Sequence, residues 1–203
     1  MDKLDFKKVM KAYWQPPVGE FVVVEVPQFS FLKVDGKGDP NSAAEYRTAV
    51  QWLFSMSYGL KFASKAAGRD YGVGPLEGLW WAEDMASFTQ DDKSKWLWTA
   101  MIMQPEWIDI AAYEAALTKA RVKLGEPPPS LRLETFEEGL SVQTMHIGPY
   151  SAEAPTIAKL HSEFLPANGL TENGHHHEIY ISDPGRTAPE KLKTVIRQPV
   201  RRR

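Results

Sequence analysis

Apolar and polar residues alternate in the chain with two different periods, and each period predicts one kind of element. Alternation in twos is typical of strands, and apolar residues every three to four positions are typical of helices. The predicted helices are residues 42–67, 109–124 and 152–168. The predicted strands are residues 20–26, 29–35, 75–83, 95–104, 131–137, 140–147, 175–182 and 192–198.

These elements follow the same order twice: strand, helix, strand, strand. The last strand of each half also ends on a similar sequence, MIMQP at residues 101–105 and VIRQP at residues 195–199. Such self-similarity indicates an internal duplication. We therefore predict an α+β domain of two repeats, about 20–108 and 126–200, joined by the helix at about 109–124. Paired repeats predict a pseudo-twofold antiparallel sheet with a central groove, and small molecules commonly bind in such clefts.

Composition narrows the function classes. The net charge is −2, which argues against a general nucleic-acid binder, and the absence of cysteine excludes thiolate catalysis and Cys-ligated zinc. The uncharged run at residues 48–60 is too short to span a bilayer, and the N-terminal residues lack the apolar core of a signal peptide. We expect a cytoplasmic protein that has no cofactor and binds neither membrane nor nucleic acid. The arginine-rich end, residues 197–203, is interpreted as a frayed, solvated tail.

The strand at residues 175–182 carries the residues with the clearest chemical potential. Alternation places Glu178 and Tyr180 on one face, where a carboxylate can accept a proton from water and a phenol can donate to a developing oxyanion. The carboxylate is equally suited to pair with a cationic ligand. A solvated polar face on an edge strand also explains the pattern. The adjacent histidines, His175 to His177, suggest a metal site, but two of them on one face are too few for structural zinc, so we predict no metal.

Tryptophan is abundant, with 7 residues. Adjacent Trp80 and Trp81 must point to opposite faces of their strand, and Glu77 shares the face of Trp81. Core packing explains any single tryptophan, whereas seven together favour one or two that line a ligand cleft.

Several stretches together resemble the GyrI-like small-molecule-binding proteins in their stand-alone bacterial form. The similarity covers residues from about 20 to 200. It is carried by residues 31–41 (FLKVDGKGDPN), 57–62 (SYGLKF), 75–81 (PLEGLWW), 145–150 (MHIGPY), 176–184 (HHEIYISDP) and 188–194 (APEKLKT).

The resemblance implies a duplicated fold with a ligand groove between its halves. In similar drug-responsive regulators a groove glutamate pairs with lipophilic cations, and some stand-alone members hydrolyse the cyclopropane of DNA-alkylating antibiotics of the yatakemycin type. Glu178 and Tyr180 occupy the positions of the implied catalytic pair. The residues then expected to contact a ligand are Trp81, Trp80, Trp107, Tyr113, Glu77 and Tyr150.

The implied mechanism has Glu178 activate a water that opens the strained ring, while Tyr180 or a second donor stabilises the charge on the conjugated carbonyl. We expect a dry aromatic groove to raise the pKa of Glu178 by desolvation. Two alternatives remain open. One is a non-catalytic binder that sequesters toxins with Glu178 as counter-ion. The other is a gyrase-interacting protein, which the family name suggests but no residue pattern supports.

Overall fold

The fold is described from a computed structural model that covers residues 3–82 and 93–203. The chain divides into two compact units, each considered by itself. The first unit comprises Met1–Val9 and Phe29–Phe136, and the second comprises Met10–Gln28 and Glu137–Arg203.

Helices and antiparallel strands alternate through the described residues. The helices are α1 (Phe6–Val9), α2 (Lys11–Trp14), α3 (Ala44–Ala66), α4 (Ile110–Leu124), α5 (Ala154–Lys159) and α6 (Leu165–Ala167). The strands are β1 (Val22–Val26), β2 (Phe29–Lys37), β3 (Leu76–Trp81), β4 (Leu97–Gln104), β5 (Arg132–Phe136), β6 (Gly139–Ile147), β7 (Leu170–Glu172), β8 (His176–Tyr180) and β9 (Lys193–Arg202).

The first unit is a four-stranded antiparallel sheet in the order β3-β4-β2-β5, packed against the long helix α3. Helix α3 forms because its apolar residues recur at helical spacing, and Leu53, Met56 and Leu60 are completely buried. Helix α4 begins after Asp109, whose side chain accepts a hydrogen bond from the Ala112 amide. The helix ends at Gly125, whose positive φ favours glycine. Both ends agree with the predicted helix 109–124.

Two tryptophans of the first unit pack closely against glycines. The Trp80 ring lies 5.8 Å from Tyr46 of α3 and 5.9 Å from Trp96, between centroids. A Cβ atom at Gly78 would collide with the Trp80 ring, and one at Gly36 would collide with the ring of Trp98. These glycines therefore leave room for the aromatic core between sheet and helix.

The second unit is also an antiparallel sheet, in the order β1-β6-β9-β8, with β7 pairing to β9. Its helical segment is α5, a π-helical stretch at Leu160–Phe164, and then α6. Leu160 and Leu165 of this segment pack on Val142 and Ile196 of the sheet. These contacts place the helical segment over the sheet face that carries Ile196.

The two units share one internal strand order, although each takes its outermost strand from a distant part of the chain. Strand β1 pairs with β6, and β5 pairs with β2. The predicted α+β class and antiparallel pairing are confirmed. Their origin by duplication, the repeat boundaries and the pseudo-twofold groove stay predictions.

Several local expectations need correction. The predicted helix 152–168 begins at Ala154 and is interrupted by the π-helical stretch. The C-terminal segment is not a frayed tail, because β9 extends to Arg202 and pairs with β7, a strand that the sequence pattern did not predict. Glu83, the predicted end of strand 75–83, lies outside the described residues. Within those residues, no helix is both long enough and apolar enough to cross a membrane.

Candidate functional site

The candidate site of the second unit is built on β8, a short strand that pairs with β9. Glu178 lies opposite Ile196, whose face of the sheet carries the helical segment. Strand alternation places His176 and Tyr180 on the same face as Glu178. The predicted shared face of Glu178 and Tyr180 is therefore the one next to the helical segment.

The Glu178 carboxylate accepts a hydrogen bond at each oxygen. The Tyr180 hydroxyl donates to Oε2 at 2.8 Å, and His176 Nε2 lies 3.1 Å from Oε1. The side chain of Glu178 is only 15% exposed. His176 was not among the sequence candidates, although the same alternation that pairs Glu178 with Tyr180 places it on their face.

Burial by itself would raise the pKa of Glu178, as the sequence led us to expect. The hydrogen bond and charge of His176, the Tyr180 hydrogen bond and the charge of His177 outweigh it and hold the pKa below its ordinary value. The predicted upward shift is therefore wrong, because two donors compensate for the lost water. Glu178 is ionised at neutral pH.

Tyr150 is the third sequence candidate at this place. It begins the 3₁₀ turn Tyr150–Ala152, and its ring meets the Tyr180 ring edge to face with centroids 5.4 Å apart. Burial and the nearby carboxylates of Glu153, Glu178 and Asp183 raise the pKa of Tyr150. The residue is 40% exposed. It is therefore a protonated phenol that solvent or a ligand can reach.

A second buried carboxylate lies on the opposite face of β8. Glu138 accepts from Arg197 Nη1 at 2.7 Å and contacts His177 Nδ1 at 2.8 Å. Burial opposes the ionisation of Glu138, but the charges and hydrogen bonds of His177 and Arg197 prevail and lower its pKa to about 2. Arg197 also donates to Gln143 and to the Tyr13 carbonyl. The tail interpretation missed Arg197, although its position within an apolar strand indicated a buried partner.

The other candidates belong to the first unit, where three of them lie on β3. Trp80 is 4% exposed within the aromatic cluster, and Glu77 is 1% exposed opposite Met101. Trp81, the last residue of β3, is partly exposed and lies opposite Leu97. Trp80 therefore packs in the core, which was the alternative to lining a ligand cleft.

Trp107 and Tyr113 each have a structural partner in the first unit. The Trp107 indole donates to Ser64 Oγ at 3.0 Å, and the Tyr113 hydroxyl donates to the Leu131 carbonyl at 2.9 Å. The structure therefore brings together Glu178, Tyr180 and Tyr150, and accounts for Trp107 and Tyr113 by contacts within their own unit.

The histidines of β8 each contact a carboxylate. His176 contacts Glu178, and His177 contacts Glu138 on the other face. Within residues 3–82 and 93–203, no three His, Asp or Glu side chains are placed to hold a metal ion.

Comparison with known proteins identifies relatives over almost the whole chain. The sequence model of the GyrI-like small molecule binding domain matches residues 19–201. The crystal structure of an uncharacterized conserved protein from Listeria innocua is 40% identical, with a TM-score of 0.90, over 98% of this chain and 100% of that chain.

Two further crystal structures from Listeria innocua are of proteins described as hydrolases. They are 39% and 38% identical, with TM-scores of 0.87 and 0.84, and each comparison covers 98% of this chain and 100% of the other. No curated protein matches the chain.

Proposed function

We propose that this chain, which belongs to the GyrI-like family of small-molecule-binding domains, hydrolyses a planar aromatic or lipophilic molecule at Glu178. The substrate class that we propose is a DNA-alkylating toxin with a strained cyclopropane. Hydrolysis would then protect the cell by destroying the toxin. The family and the two relatives described as hydrolases support the choice of reaction class.

The observation that carries the proposal is the ionised Glu178 carboxylate, held by His176 and Tyr180 beside the exposed ring of Tyr150. A general base must be deprotonated before it acts, and donors that lower its pKa keep it so at neutral pH. They also make it a weaker base. Ring strain in the substrate compensates, because the electrophile is already reactive.

The proposed reaction adds one water to the substrate without any further reactant. Glu178 accepts a proton as the water oxygen forms a bond to a cyclopropane carbon. The carbon–carbon bond of the ring breaks, and its electron pair moves into the conjugated carbonyl, which becomes a phenolate. The proton on Glu178 then passes to the phenolate through solvent, and the carboxylate is regenerated.

The deciding experiment compares Glu178→Gln with Glu190→Gln, a substitution of an exposed glutamate in the same unit. Each protein is incubated with a cyclopropane-fused dienone, and the mixture is analysed by mass spectrometry. We expect the parent chain and Glu190→Gln to give a product heavier by one water. We expect Glu178→Gln to lose turnover by about a hundredfold or more, within the range of general acid–base catalysis. Full turnover in a folded Glu178→Gln would contradict the mechanism.

The second candidate function is a non-catalytic binder that sequesters lipophilic cations. The lowered pKa of Glu178 favours it specifically, because a largely buried carboxylate that is ionised at neutral pH is a suitable counter-ion. Titration with crystal violet, followed by tryptophan fluorescence, separates the two functions. If the protein is a non-catalytic binder, every compound should be recovered unchanged after incubation. Glu178→Gln should then weaken binding about tenfold, which corresponds to a loss of about 1.4 kcal/mol in binding free energy.

A further inference from the structure

Tyr180 contacts the Glu178 carboxylate, Tyr150 packs on the Tyr180 ring, and the two hydroxyl groups differ in what they contact. Tyr180 donates to Glu178 Oε2 at 2.8 Å. The Tyr150 hydroxyl donates to none of the residues that the structure describes, although its ring packs on the Tyr180 ring. The sequence analysis left the donor role toward substrate to Tyr180 or to a second donor in the groove.

We propose that Tyr150 supplies the hydrogen bond to the oxyanion that develops on the substrate, and that Tyr180 is a positioning residue for Glu178. This assignment rests on the proposed hydrolysis and names the residue that stabilises its transition state.

The role of Tyr180 follows from proton counting. An ionised carboxylate carries no proton, so the contact between Tyr180 and Glu178 must be a donation by the phenol, which has only one proton. Turning that proton toward a substrate would break a charge-assisted hydrogen bond, the stronger class of such bonds. When a substrate arrives, the phenol proton of Tyr180 is therefore already used in the hydrogen bond to Glu178.

His176 completes the arrangement around the carboxylate. It contacts Oε1 while Tyr180 donates to Oε2, so each oxygen has one donor and keeps a further lone pair. The two contacts determine the orientation of the carboxylate, and the remaining lone pairs can accept a proton from water. His176 and Tyr180 thus position Glu178 and leave lone pairs on its oxygens free to accept a further hydrogen bond.

Tyr150 has the properties of the missing donor. Its ring is held against Tyr180 at 5.4 Å, and the residue remains 40% exposed. Burial together with Glu153, Glu178 and Asp183 raises the pKa of Tyr150, so the phenol keeps its proton and donates without transferring it. When the oxyanion forms, Glu178 has accepted the proton of water and no longer carries a charge that opposes it.

The test compares Tyr150→Phe with Tyr180→Phe, since both variants keep the ring and remove one hydroxyl. Tyr58→Phe, at an exposed position on α3, is the matched control. Hydrolysis of a cyclopropapyrroloindolone is followed by chromatography over a range of pH. The steady-state kcat and KM are determined for each protein.

We expect Tyr150→Phe to lower kcat about a hundredfold, as for the loss of one oxyanion donor, with the acidic limb of the pH profile unchanged. We expect Tyr180→Phe to move that limb to higher pH, because Glu178 loses a hydrogen bond that lowers its pKa, and to retain more of kcat at the alkaline plateau. The groups that lower the pKa of Glu178 are His176, His177 and Tyr180, and of these only Tyr180 is altered; Tyr150, whose own pKa Glu178 raises, is neutral in the acidic range. The assignment is overturned if Tyr150→Phe keeps the parent kcat, or if Tyr180→Phe loses kcat with an unshifted limb.

Two measurements without turnover separate this assignment from the proposed function. Carbon NMR titration of the Glu178 carboxyl should show a raised pKa in Tyr180→Phe only. Bound β-naphthol should become harder to ionise in Tyr150→Phe only, since that variant lacks the donor to its oxyanion. A parent chain that leaves the cyclopropane intact refutes the proposed hydrolysis. The two titrations still test the roles of Tyr180 and Tyr150 in that case. An unchanged Glu178 pKa in Tyr180→Phe refutes the positioning role of Tyr180, and an unchanged β-naphthol pKa in Tyr150→Phe refutes the donor role of Tyr150.

Discussion

Two largely buried glutamates lie at the two faces of β8: Glu178 belongs to the strand, and Glu138, which precedes β6, contacts His177 on the other face. Glu178 accepts from a phenol and contacts an imidazole, and its side chain is 15% exposed. Glu138 accepts from a guanidinium and contacts an imidazole, and its side chain is 3% exposed. Both have a lowered pKa, but Glu178 is the more exposed of the two, and its partner Tyr180 packs on the exposed ring of Tyr150. A perturbed carboxylate therefore indicates function only where a ligand can reach it.

The energetic roles of the two glutamates should differ accordingly. Without Glu138 the Arg197 guanidinium would stay charged and buried, whereas the partners of Glu178 are a neutral phenol and an imidazole that can release its proton. Substitutions at the two glutamates should therefore destabilise the chain to unequal degrees.

Replacing Glu138 by glutamine should give the largest loss of stability. Arg197 would then be buried opposite a neutral side chain, and breaking such a pair costs about 3–5 kcal/mol. Urea denaturation followed by tryptophan fluorescence measures the free energy of unfolding. Glu190→Gln is the control. A change as small as that of the control would mean that water replaces the lost charge at Glu138.

Acid should destabilise the parent chain through Glu138. Its pKa falls from 4.5 to about 2 on folding, so the folded chain binds fewer protons than the unfolded chain between these values. The resulting stabilisation, about 3 kcal/mol at about 1.4 kcal/mol per pKa unit, is complete above the unfolded pKa. It disappears as the pH falls through the folded pKa. Urea titrations at several acidic pH values should show this loss in the parent chain, and the loss should be smaller in Glu138→Gln.

Replacing Glu178 by glutamine should cost about 1 kcal/mol or less, in contrast to Glu138→Gln. The amide oxygen still accepts from Tyr180, and the loss resembles that of one ordinary hydrogen bond. The same urea experiment measures it. Equal losses for the two glutamine variants would remove the distinction between a structural and a functional carboxylate.

Replacing Tyr150 by phenylalanine should leave thermal stability within about 0.5 kcal/mol of the parent chain, because its hydroxyl has no hydrogen bond to a described residue and its ring is retained. Thermal unfolding followed by circular dichroism is the measurement. A larger loss would show that the hydroxyl is part of the structure. That result would argue against its role toward substrate.

Features that depend on neighbouring residues could be predicted from the amino-acid sequence. The period of two placed Glu178 and Tyr180 on one face, and the helical period identified α3 and α4 with nearly correct ends. The turn chemistry around Asp109 and Gly125 likewise acts within a few residues. Such local rules also sufficed for the α+β class.

Features that join residues distant in the sequence could be read from the folded structure alone. The direction of the pKa shift of Glu178 depends on how its neighbours orient their donors. The pairing of β1 with β6 connects parts of the sequence that lie far apart. Arg197 is buried because it meets the carboxylate of Glu138 and the carbonyl of Tyr13. Hydrogen bonding and desolvation at these positions depend on distances in space, and no spacing along the chain reports them.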